Sequence, residues 1–192
     1  FDLSVGSMIA VTGLFLALLI SQYGVDPALA VVLTFALALT LGAINGLLVV
    51  RTRLPSFLIT LASMLILRGV ALALTREITK QTIVRLPEGA AQHPAMRLFT
   101  EPLFSFERGV FRVELLWWIG IVVVGSVVLL RTRFGNWTFA AGGNAVAARY
   151  VGVPVARVKV ALFMCTAAAA ALYACIVVPT VGSANVTDGV NK

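Results

Sequence analysis

Five apolar runs, 5–20, 28–50, 57–74, 115–130 and 161–178, leave this chain few ways to fold. None of them alternates apolar with polar residues. In lipid every backbone N–H and C=O must be paired inside the protein, and a long run without alternation achieves this as a helix. The run 28–50 is long enough to cross about 30 Å of hydrocarbon. The first and fourth runs are shorter. The expected fold class is all-α: a polytopic transmembrane helix bundle of about five membrane segments, with residues 1–192 as one transmembrane domain. Composition agrees. The chain is 60% hydrophobic and 12% charged, with a mean hydropathy of +1.00, whereas a soluble domain is about 25% charged.

The formal net charge is +7, but much of the excess flanks apolar runs. It reads as an orientation signal, and nucleic acid is not an expected partner. The short connection 51–56 carries Arg51 and Arg53. The stretch 131–159 carries Arg131, Arg133, Arg149, Arg157 and Lys159 and no acid, and 21–27 carries no basic residue. The positive-inside rule then puts 51–56 and 131–159 in the cytoplasm and the stretch 75–114 outside. Residues 75–114 hold Arg76, Lys80, Arg85, Arg97, Arg108 and Arg112 beside several glutamates. Long loops follow the rule less closely, so the two short loops decide.

Within 131–159 the spacing predicts one short helix. Asn144 is a good N-cap, because its side-chain carbonyl accepts from a free N–H of the first turn. Ala145 to Val151 is helix-permissive, Gly152 suits the left-handed position past the end, and Pro154 cannot continue the helix. About two turns result, roughly 10 Å. So short a helix is marginal alone in water. It is either part of a plain connection or a knob that docks on a cytoplasmic partner.

Polar residues inside the apolar runs are the other candidates. Arg68 interrupts the third run, where a charge is expensive unless paired or hydrated. Either the helix ends near Leu67 and Arg68 snorkels to the interface, or it lines an aqueous path or orders a neighbouring helix. Asn45, midway along the second run, calls for a partner helix. Asp2, Ser4, Gly6 and Ser7 sit against the first run. They form either a solvent-side terminus or a broken helix that opens backbone groups to a ligand. Gly42 and Gly46 form a GxxxG suited to close helix packing, and 167–171 offers a similar smooth face. Trp117 and Trp118 suit the headgroup level.

No enzyme constellation is visible. His93 is the single histidine and reads as a solvated loop side chain. There is no phosphate-binding GxxxxGK[ST] loop. Cys165 and Cys175 lie about 15 Å apart along one helix, too far for a disulfide, and read as small packing residues. No metal or other cofactor is implied. Acids are missing from the interiors of the second to fifth runs, which weakens a proton- or sodium-coupled carrier.

Three stretches taken together, FDLSVGSMIAVTG (1–13), GAINGLLVVRTRLPSFLITLASMLILRG (42–69) and RTRFGNWTFAAGGNAVAARYVGVPV (131–155), resemble the permease subunits of bacterial ABC importers for monosaccharides of the ribose, xylose, arabinose and galactose type. The resemblance implies an all-helical, multi-pass protein of the bacterial inner membrane. Its implied partners are an ATP-binding subunit, a periplasmic solute-binding protein and a second permease subunit, within membrane lipid. It implies transport without catalysis by this chain, because ATP hydrolysis belongs to the partner. Carried over, ATPase coupling falls on Asn144, Arg149, Tyr150, Gly152, Val153 and Pro154. The translocation path falls near Asp2, Ser4, Gly6, Asn45 and Arg68. Members usually have an acid after the GGN, where this chain has Ala145. They are also longer at both ends, so the chain is expected to be a piece of a longer permease. The readings set against this one are an ATP-independent facilitator and a non-transporting remnant.

Overall fold

The computed structural model describes residues 1–52, 54–106 and 109–188. Arg53, one of the two arginines used for orientation, and the tail 189–192 lie outside the described residues. Helices α1 (Val5–Ser21), α2 (Pro27–Thr52), α3 (Ser56–Thr79), α5 (Glu114–Arg131) and α8 (Val155–Val181) correspond to the five apolar runs. Four of them are long and apolar enough to cross a membrane, and α1 is a shorter apolar helix. Between them lie β1 (Ile83–Arg85), α4 (Pro94–Thr100), the antiparallel pair β2 (Pro102–Phe106) and β3 (Gly109–Arg112), α6 (Arg133–Gly143) and α7 (Ala145–Tyr150). The last element is β4 (Ser183–Asn185).

Helix α1 is the hub. Met8, Leu14, Leu16 and Ala17 are at most 2% exposed, and α1 packs on α2, α3 and α8. Leu14, Leu16 and Ile20 share a core with Ala30 of α2 and with Leu172, Ile176 and Val178 of α8. Helices α2 and α8 meet at the GxxxG. A Cβ on Gly42 would lie 2.6 Å from the Phe163 carbonyl oxygen, and one on Gly46 2.7 Å from the Val160 Cα. Only hydrogen fits there. Ala167, Ala170 and Ala171 are buried against Met8 and Ala38, so the alanine run is a packing face as expected.

Two helices overrun their apolar runs. Helix α3 continues through Thr75, Arg76 and Glu77 to Thr79, so the polar connection begins at Lys80 rather than Thr75. Arg68 is therefore mid-helix, and the reading in which the helix stops near Leu67 is excluded. Helix α8 begins at Val155 and includes Arg157, Lys159 and Pro179. Arginine and lysine are good helix formers whose long stems let the charge leave the apolar zone, so the hydropathy edge at 161 is not the helix edge.

The two ends of the bundle differ. One end carries the turn 22–26, the connection 80–113 and the residues after α8. There β1 pairs antiparallel with β4, Val84 opposite Ala184, and both residues are buried in the α1 core. The polar ending expected after 178 is thus partly a helix end and a strand. His93 is not a free loop side chain. Its Nδ1 accepts from the Ala95 N–H as the cap of α4, and its Nε2 lies 3.3 Å from Asp26 Oδ2. Asp26 Oδ1 in turn accepts from the Ala28 and Leu29 N–H groups at the start of α2. The other end carries the connection from α2 to α3 and the pair α6–α7, with Leu54, Arg149 and Ala156 around one recess.

Gly46→Val is expected to destabilise the bundle by about 1–3 kcal/mol through overpacking against α8. Gly69→Ala, in open space, is expected to hold or raise stability through helix propensity. Thermal unfolding of the two purified variants in mild detergent distinguishes them.

Candidate functional site

The chain enters α1 through four non-helical residues, Phe1–Ser4, and groups of Asp2, Leu3 and Ser4 tie it to three further helices. The Asp2 Oδ1 accepts from the Ser4 backbone N–H at 2.9 Å and from the Ser4 hydroxyl at 2.6 Å. An ionised carboxylate only accepts, so it takes the single proton of Ser4. Ser4 Oγ must then accept from the Asn45 amide, and Nδ2 is 3.1 Å away. That leaves Asn45 Oδ1 for the hydroxyl of Ser63 at 2.6 Å. The directions of all three bonds follow from the carboxylate. Thr166 Oγ1 of α8 is 3.0 Å from Asp2 Oδ2 and 2.9 Å from the Phe163 carbonyl, between which its one proton is shared. The Leu3 N–H donates to Thr60 Oγ1 of α3 at 3.1 Å, and Ser7 Oγ donates to the Ser4 carbonyl at 2.8 Å.

Ser4 and Thr60 are fully buried and Asn45 is 4% exposed. Asn45 precedes the end of α2 at Thr52 by about 10 Å of helix, so this polar cluster lies within the apolar zone, where orphaned polar groups cost several kcal/mol each. Mutual satisfaction removes that cost. Of the five path candidates, Asp2, Ser4 and Asn45 are joined by hydrogen bonds, and Gly6 sits in the first turn of α1. Arg68 is separate. It lies five residues beyond Ser63 on α3, and its Nε is buried with no hydrogen-bond partner among the described residues. Sequence reasoning missed Thr60, Ser63 and Thr166. Isolated hydroxyls in apolar helices give no signal until a partner is known, although Thr60 and Ser63 at i, i+3 share one helix face.

The second candidate is α7. Asn144 Oδ1 accepts from the Val146 and Ala147 N–H groups, both at 3.0 Å, which is the expected cap. Gly152 is left-handed at φ 84. Its N–H donates to the Arg149 carbonyl, and that of Val153 to the Ala148 carbonyl, both at 3.0 Å. These two bonds form a Schellman motif. Pro154 then caps α8, which starts one residue later. Helix α7 rests on Ala148, which is buried, while Val146, Tyr150 and Val151 are 61%, 88% and 78% exposed. The helix is one residue shorter than expected, and 131–159 holds more than one short helix. The Gly-Gly before it closes α6, capped by Thr132, whose Oγ1 accepts from the Gly135 N–H.

The family described as branched-chain amino acid transport system / permease component matches residues 1–191. The chain belongs to this family. It is 35% identical over 173 residues to the inner membrane ABC transporter permease protein YjfF of Escherichia coli K12, covering 89% of this chain and 49% of that protein. It is 35% identical to the ribose import permease protein RbsC of Bacillus subtilis 168, covering 98% of this chain and 55% of that one. It is 28% identical to the fructose import permease protein FruG of Bifidobacterium longum, covering 98% and 54%. The chain spans about half the length of the curated relatives it matches. No solved structure matches it. The all-helical, multi-pass permease expected from the sequence is therefore the family found.

Among the described residues no cluster of His, Cys, Asp and Glu could hold a metal ion. Cys175 is buried in the core of this permease, as expected of a packing residue. Cys165 is exposed, which departs from that reading. Asn45→Ala orphans the Ser63 donor and a Ser4 lone pair together, and is expected to cost about 1–3 kcal/mol. Asn45→Ala in a Ser63→Ala background should cost measurably less. Thermal melts of the single and double variants provide the comparison.

Proposed function

We propose that the chain is part of the permease subunit of an ABC importer. In this reading it moves a monosaccharide or similar small polar solute across the inner membrane of a bacterium and carries out no chemistry itself. The observation that carries the reading is α7. It is a capped helix of one and a half turns that buries a single alanine and presents Val146, Arg149, Tyr150 and Val151 to the surroundings. Apolar side chains exposed beside a cation, on a helix closed at both ends, suit a protein partner. An ATP-binding subunit docking on Asn144 to Pro154 is that partner. The family relation supports this assignment, and the sugar named in several relatives supports the solute class over the amino acids of the family description.

Orientation follows. Arg51, Arg131, Arg133, Arg149 and Arg157 gather at the α7 end, which makes it the cytoplasmic end by the positive-inside rule. The opposite end, with β1, β4 and α4, faces a solute-binding protein outside. A second permease subunit completes the translocation path together with Asp2, Ser4, Gly6, Asn45 and Arg68. The absent acid after Asn144 removes one polar contact from the ATPase interface and leaves the helix intact, because both caps are made by other residues.

Gly152→Pro is expected to abolish substrate-stimulated ATPase activity of the assembled transporter while membrane insertion is retained. Proline fixes φ near −65° and removes a donor, whereas Gly152 needs φ 84 and an N–H for Arg149. Deletion of 145–153 should behave in the same way. Unchanged ATPase stimulation in the deletion would sink the coupling role, and uptake that survives ATP depletion would favour a facilitator.

A further inference from the structure

One imidazole joins the caps of two helices. The first turn of α4 has few free donors. Pro94 has no N–H, and the His93 carbonyl accepts from the Met96 and Arg97 N–H groups at 2.9 and 3.0 Å. The Ala95 N–H remains, and His93 Nδ1 accepts from it at 3.3 Å. On the other side of the ring, Nε2 lies 3.3 Å from Asp26 Oδ2. The second oxygen of Asp26 accepts from the Ala28 and Leu29 N–H groups and so caps α2.

This arrangement fixes the state of the ring. An accepting Nδ1 carries no proton, so the single proton of the neutral imidazole sits on Nε2 and is donated to Asp26. An imidazolium carries a proton on both nitrogens and accepts nothing. It still donates to Asp26, now as an ion pair, but at Nδ1 two donors face each other. The half-buried Ala95 then loses the partner of its N–H, and the positive end of α4 meets a positive ring. The two contacts thus respond in opposite senses to one proton. The His93 side chain is 35% exposed, so that proton can arrive from water without the bundle opening.

Helix α4 is a consequential element to release. Its Met96 and Phe99 are buried in one core with Ile20 of α1, Ala30 of α2 and Leu172 of α8. Phe99 stacks on Trp117 of α5, and the Leu98 carbonyl accepts from Trp117 Nε1. The other ionisable groups around α4 are engaged or set apart. Arg97 and Glu101 pair with each other. Tyr23 is on the turn before α2, Glu88 precedes the short turn Ala90–Gln92, Glu114 opens α5, and the facing end of α8 carries Tyr173 and Cys175. Among the described residues, Asp26 alone is within ion-pair distance of His93.

We propose that His93 is a proton-operated latch: neutral, it ties the start of α4 to the cap of α2, and protonated, it keeps Asp26 and lets the first turn of α4 go. Histidine is the side chain whose charge changes between about pH 5 and 8. The latch is a property of this fold and does not depend on the permease reading.

The test uses the full-length protein in lipid nanodiscs. Amide hydrogen exchange of residues 95–97 is followed at pH 8 and pH 5, as protection relative to an unstructured peptide at the same pH. Wild-type protection is expected to fall about fivefold at pH 5, the size of a lost N-cap, while the amides of α1 and α2 keep theirs. His93→Asn, whose Oδ1 can cap without titrating, should hold the higher protection at both pH values. His93→Ala should be low at both. Equal wild-type protection at the two pH values overturns the proposal, as does full protection in His93→Ala. A fall that persists in His93→Asn assigns the proton to another group and overturns it too. So does a wild-type fall shared by α1 and α2, which is acid unfolding of the bundle.

Discussion

One carboxylate sets the arrangement of the membrane bundle. Asp2 takes the proton of Ser4, which turns Ser4 towards Asn45 as an acceptor, which in turn presents the Asn45 oxygen to Ser63. Through Thr166 the same carboxylate reaches α8. Four chain segments are thereby registered by a handful of bonds with fixed direction. Apolar packing between helices in lipid has little directional content, because lipid tails are as apolar as leucine. Polar bonds with one permitted direction supply the specificity that packing lacks. They also anchor the residues that lead into α1, where the Leu3 N–H donates to Thr60 Oγ1 of α3.

Around this junction the bundle is tight on one side. Gly42 and Gly46 bring α2 onto α8 until only hydrogen fits, and α1 fills the angle between them. The two ends are then free to specialise. One is closed by β1 and β4 and tied by His93 to Asp26. The other is basic and offers α7.

Much of this was legible in the sequence. Apolar runs gave the helices because backbone pairing in lipid leaves no alternative. Asn144, Gly152 and Pro154 gave α7 because capping is local chemistry within a few residues. Other features depended on tertiary context. The extension of α3 through Arg76 and Glu77 was hidden because hydropathy reports solvent and not backbone. Helix α6 was hidden because Gly135, Gly142 and Gly143 argue against a helix that neighbouring contacts nevertheless hold. The pairing of 83–85 with 183–185 spans a hundred residues, and three-residue strands carry no periodicity to detect. Thr60, Ser63 and Thr166 looked like ordinary hydroxyls until Asp2 and Asn45 were seen beside them. His93 looked solvated because Asp26, 3.3 Å from its Nε2, is brought beside it only by the fold.

Helix α5 contributes no buried residue among those described. It is fastened near its two ends. At one, Trp117 stacks on Phe99 and donates from Nε1 to the Leu98 carbonyl, and Trp118 lies against Tyr173. At the other, Gly135 of α6 seats so closely on the end of α5 that a side chain there would strike the Leu129 carbonyl. The position of α5 against the rest of the described bundle therefore rests on two indoles and one glycine rather than on a buried face of its own.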